Sequence, residues 1–251
     1  MNEGRRQLLG LGCGAALPAL AQSPRTLVLV NAVLPPYVME SGEPRGQGMD
    51  VDLAREALRV AGGYSVELQL MPWRRALQML EQGEADFTTS VHISPDRERF
   101  LAFSQPYGKT VRHHVYTRRG EGLALERLTQ LNEHIVGLVA GHVFPEALQA
   151  VLRPRVERAK DLATLLRMLV ARRVDVVVVN DLPAAWLVRQ LGLGEVLERQ
   201  PLVYDSGRRT QMGFSKRRPD HLQALEAMNR GLRQLARGTI QQRLEAHYLA
   251  P

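Results

Sequence analysis

Arg97 occupies a position where elementary electrostatics does not favour an arginine. In the surrounding stretch "HISPDRE", Ser94 has the residue type of a helix N-cap and Pro95 that of a first helical residue. Arg97 is therefore predicted to lie in the first turn of a helix, where the helix dipole disfavours a cation. An anionic group should compensate its charge.

Two sources of that anion are open. The neighbouring acids Asp96 and Glu98 could compensate Arg97 in a solvated arrangement without a functional role. Alternatively, the guanidinium could hold a ligand carboxylate through two parallel hydrogen bonds, with the Ser90 hydroxyl and exposed backbone N–H groups close by. The spacing of the residues does not decide between the two.

Two segments of similar design lead to candidate binding loops. When Asp175 is aligned with Asp86, the run "VVVV" (176–179) falls on "FTTS" (87–90), and the helical pattern before each segment also matches. Strand, helix and strand in this order predict a parallel sheet, and the four valines are typical of a parallel strand covered on both faces. Asp86 and Asp175, at matched positions before the two strands, are predicted to be structural.

The order of the elements predicts an α/β fold with two lobes. Residues 22–112 form the first lobe and residues 113–210 the second. Residues 211–251 return to the first lobe, because their strand and amphipathic helix have no sheet of their own. Together with the extended stretch 109–120, this return makes the connection two-stranded, which suits a hinge.

Ligands of open parallel sheets bind beyond the carboxyl ends of the strands. This rule nominates two loops from each lobe, which a cleft between the lobes would bring together: 31–37, 90–97, 141–144 and 180–183.

Composition and the N-terminus restrict the class of protein. The formal net charge is +7, but the arginines are scattered and no aromatic residues interleave with a dense basic run, which argues against nucleic-acid binding. Residues 1–21 have the charged head, apolar middle and small-residue end of a secretory signal peptide. Cleavage after Ala21 is preferred over lipoprotein processing at Cys13, the only cysteine, so a periplasmic protein without disulfides is expected.

Three segments carry a resemblance to a known family: "LPPYV" (34–38), "GQGMDVDLAREAL" (46–58) and the stretch from "MPWRRAL" to "FSQPY" (71–107). They resemble the periplasmic solute-binding proteins of ABC importers, in the polar amino-acid-binding family 3. The resemblance implies a type II periplasmic binding fold, with two lobes of mostly parallel sheet flanked by helices and joined by a two-stranded hinge. It also implies hinge closure over a small carboxylate ligand, with the ABC permease subunits of the inner membrane as partners and the protein as a monomer.

The resemblance implies roles for individual residues of the first lobe. An arginine that matches Arg97 clamps the α-carboxylate of the ligand, helped by groups that match Ser90 and His92. Aromatic or apolar side chains that match Tyr37 and Trp73 line the side-chain pocket. From the residues alone, Tyr37 and Trp73 could equally be packing residues.

The resemblance also implies contributions from the second lobe. The turn that contains His142 and Phe144 matches one that donates to the carboxylate, although His142 could be only a turn residue satisfied by the backbone. An acid after the valine strand takes the ammonium in the family, and this chain has Asn180 there, followed by Asp181. Asparagine accepts a hydrogen bond from an ammonium but cannot neutralise it, so the ligand need not be an ordinary amino acid. Asp181 could instead cap the helix that follows.

The leading hypothesis is a non-enzymatic extracytoplasmic binding protein for an ABC importer, without a cofactor, a metal ion or a catalytic residue. His113 and His114 are predicted on opposite faces of an extended stretch, which makes them a poor metal pair. One alternative is an exported enzyme on the same fold, resembling the cyclohexadienyl dehydratases, which needs an acid in the cleft and has only Asp181 as a candidate. Another is a sensory module that reports to a receptor.

Overall fold

The computed structural model describes residues 24–40, 47–142, 144, 146–152 and 155–249. The predicted signal peptide and Cys13 lie outside these residues. Within the described ranges, none of the helices combines the length and the apolar character needed to cross a membrane.

The first half of the chain contains the predicted parallel sheet. Its elements are β1 (Arg25–Asn31), α1 (Met49–Ala61), β2 (Tyr64–Leu70), α2 (Trp73–Gln82), β3 (Phe87–Val91), the short helix α3 (Pro95–Glu98) and β4 (Leu101–Phe103). β1 lies between β2 and β3 and is parallel to both. The predicted strand, helix and strand arrangement is confirmed.

The second half repeats this design. Its elements are a 3-10 helix (Leu128–Glu133), β6 (Val136–Val139), α4 (Glu146–Val151), β7 (Val156–Ala159), α5 (Leu162–Val170), β8 (Val176–Asn180) and α6 (Asp181–Gln190). β6 is parallel to its neighbours β7 and β8. The four valines of β8 are all buried, as expected for a strand covered on both faces.

Two long antiparallel strands, β5 (Tyr107–Arg118) and β9 (Leu197–Ser215), join the two halves. β9 pairs with β3 and β4 in the first half, and β5 pairs with β8 in the second. The described strands form the order β2-β1-β3-β9-β5-β8-β6-β7, with β4 also on β9. The two-stranded connection is present, but β9 begins at Leu197, well before residue 211, where the returning segment with its strand is predicted to start. The residue limits predicted for the lobes stay a prediction.

The end of the chain packs on the first half. α7 (His221–Leu235) lies against α1, and α8 (Ile240–Leu249) follows it. The backbone of Ala57 leaves no room for a side chain at Gly231, so the two helices approach closely there. Met228 and Leu232 belong to the same core as Leu27 of β1.

The matched acids Asp86 and Asp175 do the same structural work in each half. Asp86 Oδ2 accepts a hydrogen bond from the Val28 N–H (2.8 Å), and Asp175 Oδ2 accepts one from the Ile135 N–H (2.8 Å). Each acid therefore ties the start of its own strand to the neighbouring strand segment. The predicted structural role is confirmed for both.

Candidate functional site

The local structure around Arg97 is the one that the sequence predicts. The Ser94 hydroxyl accepts a hydrogen bond from the Arg97 N–H (3.4 Å), and Pro95 is the first residue of α3. The arginine is only 5% exposed. Its Nη1 donates to the carbonyl oxygen of His92 (3.0 Å), and its Nη2 donates to the carbonyl oxygen of Gly141 (2.8 Å).

Arg97 is a buried cation that meets no carboxylate counter-ion in the described part of the chain. Burial lowers the pKa of its guanidinium to about 10, so the group is still protonated at neutral pH. Asp96, one of the two acids considered as its compensation, forms an ion pair with Arg99 instead (3.2 Å). Among the described residues, no carboxylate forms an ion pair with Arg97. Neither Asp96 nor Glu98 therefore compensates the charge of Arg97 through an ion pair.

Trp73 and Arg97 converge on a single carbonyl group of the other half. The Trp73 indole Nε1 donates to the carbonyl oxygen of Gly141 (3.2 Å), and the Arg97 Cζ lies 5.4 Å from the centre of the Trp73 ring, within cation–π range. Gly141 has φ +79°, and a Cβ atom there would lie 3.0 Å from the Trp73 ring. Trp73 also packs in the first-half core beside Leu80, as expected for a packing residue, and its role in lining a ligand pocket stays a prediction.

Ser90 is held in a left-handed backbone conformation by two buried partners. Its φ is +54°, unusual for a residue with a side chain. Its N–H donates to the Tyr107 hydroxyl oxygen (2.9 Å), the Tyr107 hydroxyl donates to Asp50 Oδ2 (2.6 Å), and the Ser90 hydroxyl also contacts Asp50. Burial raises the pKa of Asp50 to about 6, against the lowering effect of these two hydroxyl donors. The Ser90 hydroxyl therefore donates its hydrogen to Asp50 and can only accept a hydrogen bond from another group.

Three histidines line the same cavity as Arg97. His92, His113 and His142 each have a pKa lowered to about 4, chiefly by burial, with the charge of Arg97 adding to the effect at His92 and His142. They are neutral at pH 7. The Nδ1 atoms of His92 and His113 are buried without a hydrogen-bond partner among the described residues. The described part of the chain contains no group of three His, Cys, Asp or Glu side chains that could hold a metal ion.

The paired histidines of β5 point to opposite sides, as predicted. The His113 ring packs on Phe144, with 5.4 Å between ring centres. His114 faces Asp181, with 3.4 Å between Nε2 and Oδ2. His113 therefore enters the site that the loops form, and His114 does not.

Asn180 and Asp181 point into different surroundings. Asn180 ends β8 and makes no side-chain capping bond to α6. Asp181 is the first residue of α6, not the cap before it, and its carboxylate faces His114 and Arg199 (3.8 Å). The predicted capping role of Asp181 is therefore wrong.

A small cavity, here called the cleft cavity, lies between the two halves. Its volume is about 60 Å³, and its lining contains Arg97, Trp73, Ser90, His92, His142 and Asn180 among the predicted residues, together with His113, Lys160 and Asp161. Two larger cavities adjoin it: one of about 1030 Å³ shares His92 and His142, and one of about 750 Å³ shares Ser90 and Asn180.

The structure brings six of the nine predicted ligand residues to the cleft cavity and leaves three outside it. Tyr37 and Asp181 line the cavity of about 750 Å³, and Phe144 lines the cavity of about 1030 Å³. Burial, and after it the charge of Asp50, raises the pKa of the Tyr37 phenol above its usual range, so the ring is neutral.

Sequence reasoning missed five residues of this region. Two of them, Asp50 and Tyr107, could have been found, because they lie in the segments 46–58 and 71–107 that carry the resemblance. The lining positions of His113, Lys160 and Asp161 depend on which strand faces and loops meet, for which the sequence carries no signal. The missed residues are Asp50, Tyr107, His113, Lys160 and Asp161.

Comparison with protein families gives an extensive match. The family model of the bacterial extracellular solute-binding proteins, family 3, matches residues 27–251. A curated relative, the probable histidine-binding protein of Neisseria gonorrhoeae, is 28% identical over 173 residues. The match covers 67% of this chain and 63% of that relative, so the chain spans somewhat less than two thirds of the relative's length.

Solved structures share the fold at low sequence identity. An ancestral arginine-binding protein bound to arginine has a TM-score of 0.76 and 21% identity, covering 90% of this chain and 98% of its own. A histidine kinase sensor domain with similarity to periplasmic binding proteins has a TM-score of 0.77 and 23% identity, over 90% and 97% of the two chains. The arginine-, lysine-, histidine-binding protein of Geobacillus stearothermophilus has a TM-score of 0.72 and 17% identity, over 91% and 96%. These likenesses show the type II periplasmic binding fold.

Proposed function

Because this chain belongs to the bacterial extracellular solute-binding proteins, family 3, we propose that it captures a small carboxylate-bearing solute, an amino acid or a related acid, for an ABC importer. The curated relative is named for histidine binding and the structural neighbours for arginine, lysine and histidine, which supports a carboxylate ligand. Membership of this family identifies the protein as a solute-binding protein. That its solute is a carboxylate and that it serves an ABC importer are proposed here.

One observation carries the proposal most directly. Arg97 is buried, protonated and directed at the cleft cavity, while none of the described carboxylates pairs with it. A buried guanidinium that meets only carbonyl oxygens lacks the charge-assisted partner that it prefers. A solute carboxylate is that partner.

The contacts suggest how the solute would be held. A carboxylate between the halves would accept hydrogen bonds from the guanidinium of Arg97 and would displace or share its bond to the Gly141 carbonyl. The Trp73 ring lies beside the same guanidinium and would pack on the apolar part of the solute. Because Arg97 and Trp73 come from one half and Gly141 from the other, binding would couple to closure.

The connection between the halves supports a hinge. Only β5 and β9 cross between the two parallel sheets of the described chain, and both show register shifts where they pair. Bending of these two strands would open the cleft for entry, since hinge motions concentrate in the few segments that join two packed bodies. We propose that the solute binds first to Arg97 and that the second half then closes over it.

Location and partners follow from the same proposal. The family is extracellular, and residues 1–21 are proposed to direct export to the periplasm and to be removed after Ala21. The mature protein is proposed to be a monomer that meets permease subunits of an ABC importer. N-terminal sequencing of the exported protein tests cleavage after Ala21, and light scattering tests the monomeric state. Affinity capture with membrane extracts tests the contact with permease subunits.

The enzyme alternative finds little support at the site. A dehydratase of the cyclohexadienyl type needs an acid aimed at a leaving hydroxyl, and Asp181, the candidate from the sequence, faces His114 and Arg199. Among the described residues that line the cleft cavity, the only carboxylate is Asp161, and it caps α5. Prephenate and arogenate should therefore not be turned over.

The proposal is tested by thermal unfolding of the protein from Gln22 onward against amino acids, hydroxy acids, oxo acids, dicarboxylates and polyamines. A solute at about 100 times its Kd should stabilise the protein by about 2.7 kcal/mol, which raises the midpoint visibly. Stabilisation by carboxylates and not by polyamines is the expected result. Stabilisation by polyamines alone, or turnover of prephenate, would overturn the proposal.

A further inference from the structure

The charges that line the cleft cavity are unequal. Arg97 and Lys160 are cations, and Asp161 is the only carboxylate among the described lining residues. Asp161 Oδ1 accepts a hydrogen bond from the Thr164 N–H (2.7 Å) as the N-cap of α5, and its Oδ2 lies 4.0 Å from Lys160 Nζ. Lys160 and Asp161 together add no net charge to the lining, so the charge of Arg97 is left over.

Two further carboxylates lie near the cavity without lining it. Asp50 is 5% exposed and accepts hydrogen bonds from Ser90 and from Tyr107. Asp181 faces His114 and Arg199 on the other side of β5. A solute inside the cleft cavity meets neither carboxylate directly.

The remaining polar lining is uncharged. His92, His113 and His142 are neutral imidazoles at pH 7, and the Nδ1 atoms of His92 and His113 are free to bond among the described residues. Asn180 offers an amide, which both donates and accepts. Because the Ser90 hydrogen goes to Asp50, its oxygen can only accept from the solute.

We propose that the solute is a compact carboxylic acid whose second polar group is an uncharged oxygen, a 2-hydroxy or 2-oxo acid rather than an amino acid. Its carboxylate balances the single uncompensated charge of Arg97. Its hydroxyl can donate to Ser90 or an imidazole and accept from the Asn180 amide or an imidazole N–H, and an oxo group can accept from the same donors. An ammonium would be enclosed where the one carboxylate among the described lining residues, Asp161, already caps α5 and lies beside Lys160, which is costly in a buried site.

The size of the cavity favours a small member of this class. At about 60 Å³ the cleft cavity holds only a few water molecules, well below the roughly 300–1000 Å³ of pockets for larger ligands. Glycolate and glyoxylate are the smallest acids that carry both groups, and lactate and pyruvate are one methyl group larger. Longer side chains would have to extend into one of the adjoining cavities.

This inference rests on the proposed capture of a carboxylate and is tested by titration calorimetry with matched sets of acids. Each set shares a side chain and changes only the second polar group: lactate, pyruvate and alanine; phenyllactate, phenylpyruvate and phenylalanine; 2-hydroxyglutarate, 2-oxoglutarate and glutamate; imidazolelactate, imidazolepyruvate and histidine. In the set that binds best, the hydroxy or oxo acid should bind at least about tenfold more tightly than the amino acid, about 1.4 kcal/mol.

Asn180→Asp supplies the second arm of the test, because it adds a carboxylate with almost no change of shape. This variant should narrow or reverse the preference, because it should bind the hydroxy acid more weakly and the amino acid more tightly than the wild type does. Asn132→Asp, at an exposed position of the 3-10 helix, makes the same chemical change away from the cleft and should leave the preference unchanged. An amino acid that binds as tightly as its hydroxy and oxo counterparts would overturn the inference and leave the proposed function standing. Failure of all the sets to bind would overturn both.

Discussion

The Nη2 atom of Arg97 and the carbonyl oxygen of Gly141 lie 2.8 Å apart although the two residues are 44 positions apart in the sequence. Arg97 belongs to the short helix after β3, and Gly141 to the turn after β6, so the contact joins the two halves of the fold. The Trp73 indole donates to the same oxygen. We propose that solute binding and closure of the cleft are coupled at this shared carbonyl.

Gly141→Ala should weaken both stability and binding. Its φ of +79° disfavours a side chain by about 1–2 kcal/mol, and the added Cβ would press on the Trp73 ring at 3.0 Å. Urea denaturation should show a loss of that size, and calorimetry a lower affinity for the solute. Gly194→Ala, where a Cβ meets nothing within 4 Å, should change neither. Equal behaviour of the two variants would argue against a close approach at Gly141.

Trp73 should report solute binding through its fluorescence. Its ring lies beside Arg97 in the cleft, whereas Trp186, the other tryptophan, packs near Met39 and Tyr248. Addition of a binding acid should change the emission of the wild type and of Trp186→Phe, and should leave Trp73→Phe almost unchanged. A solute-induced change that persists in Trp73→Phe would place the site elsewhere.

Asp50 should make the protein more stable as the pH falls from about 7 to about 5. Its pKa of about 6 in the folded protein is above the ordinary 3.8, so the folded protein binds this proton more tightly than the unfolded chain. The contribution is full below the ordinary pKa and is lost as the pH rises through about 6. Relative to Asp50→Asn, the wild type should gain about 1 kcal/mol of unfolding free energy over this range. Parallel pH profiles of the two proteins in urea denaturation would contradict the raised pKa.

His113, unlike Asp50, should make the protein less stable as the pH falls from about 7 to about 5. Its pKa of about 4 is below the ordinary 6.5, because burial and then His92 and His114 lower it more than the hydrogen bond with the Tyr204 backbone and the charge of Asp205 raise it. The unfolded chain therefore takes up the proton first, and stability is full above the ordinary pKa and lost as the pH falls towards about 4. Between about pH 7 and 5 the loss from this residue should be about 2 kcal/mol, and His113→Gln should remove that part of the slope. An unchanged slope would show that His113 is solvated.

The two parallel sheets could be predicted because a helical pattern, an acid and a strand follow one another in the same register around Asp86 and Asp175, and both acids hold the backbone as expected. It did not predict the length of β9, since residues 197–209 include Pro201 and Gly207, which normally interrupt strands. The long strand forms because β5 pairs with it between Leu197 and Thr210 and β3 and β4 pair with the rest, a tertiary effect that no local pattern shows.

The site was predictable only where chemistry is local. The Ser94 cap and the position of Arg97 could be read from seven consecutive residues, and the structure has them as expected. The Gly141 contact, the entry of His113 and the commitment of Ser90 to Asp50 each depend on segments far apart in the chain. Alternation on β5 separated His113 from His114 correctly but gave no indication of which one faces the cleft.

The most direct test of the account is calorimetric titration of the best-binding acid into the wild type, Arg97→Ala and Arg99→Ala. Arg99 belongs to the same short segment, is exposed and pairs with Asp96, so it controls for a general loss of positive charge. Removal of the buried partner of a carboxylate costs about 2–5 kcal/mol, so Arg97→Ala should bind at least about 30-fold more weakly. Arg99→Ala should stay within about twofold of the wild type. Arg97→Ala binding as tightly as Arg99→Ala, with both variants folded by circular dichroism, would contradict the claim that the solute carboxylate is held by Arg97.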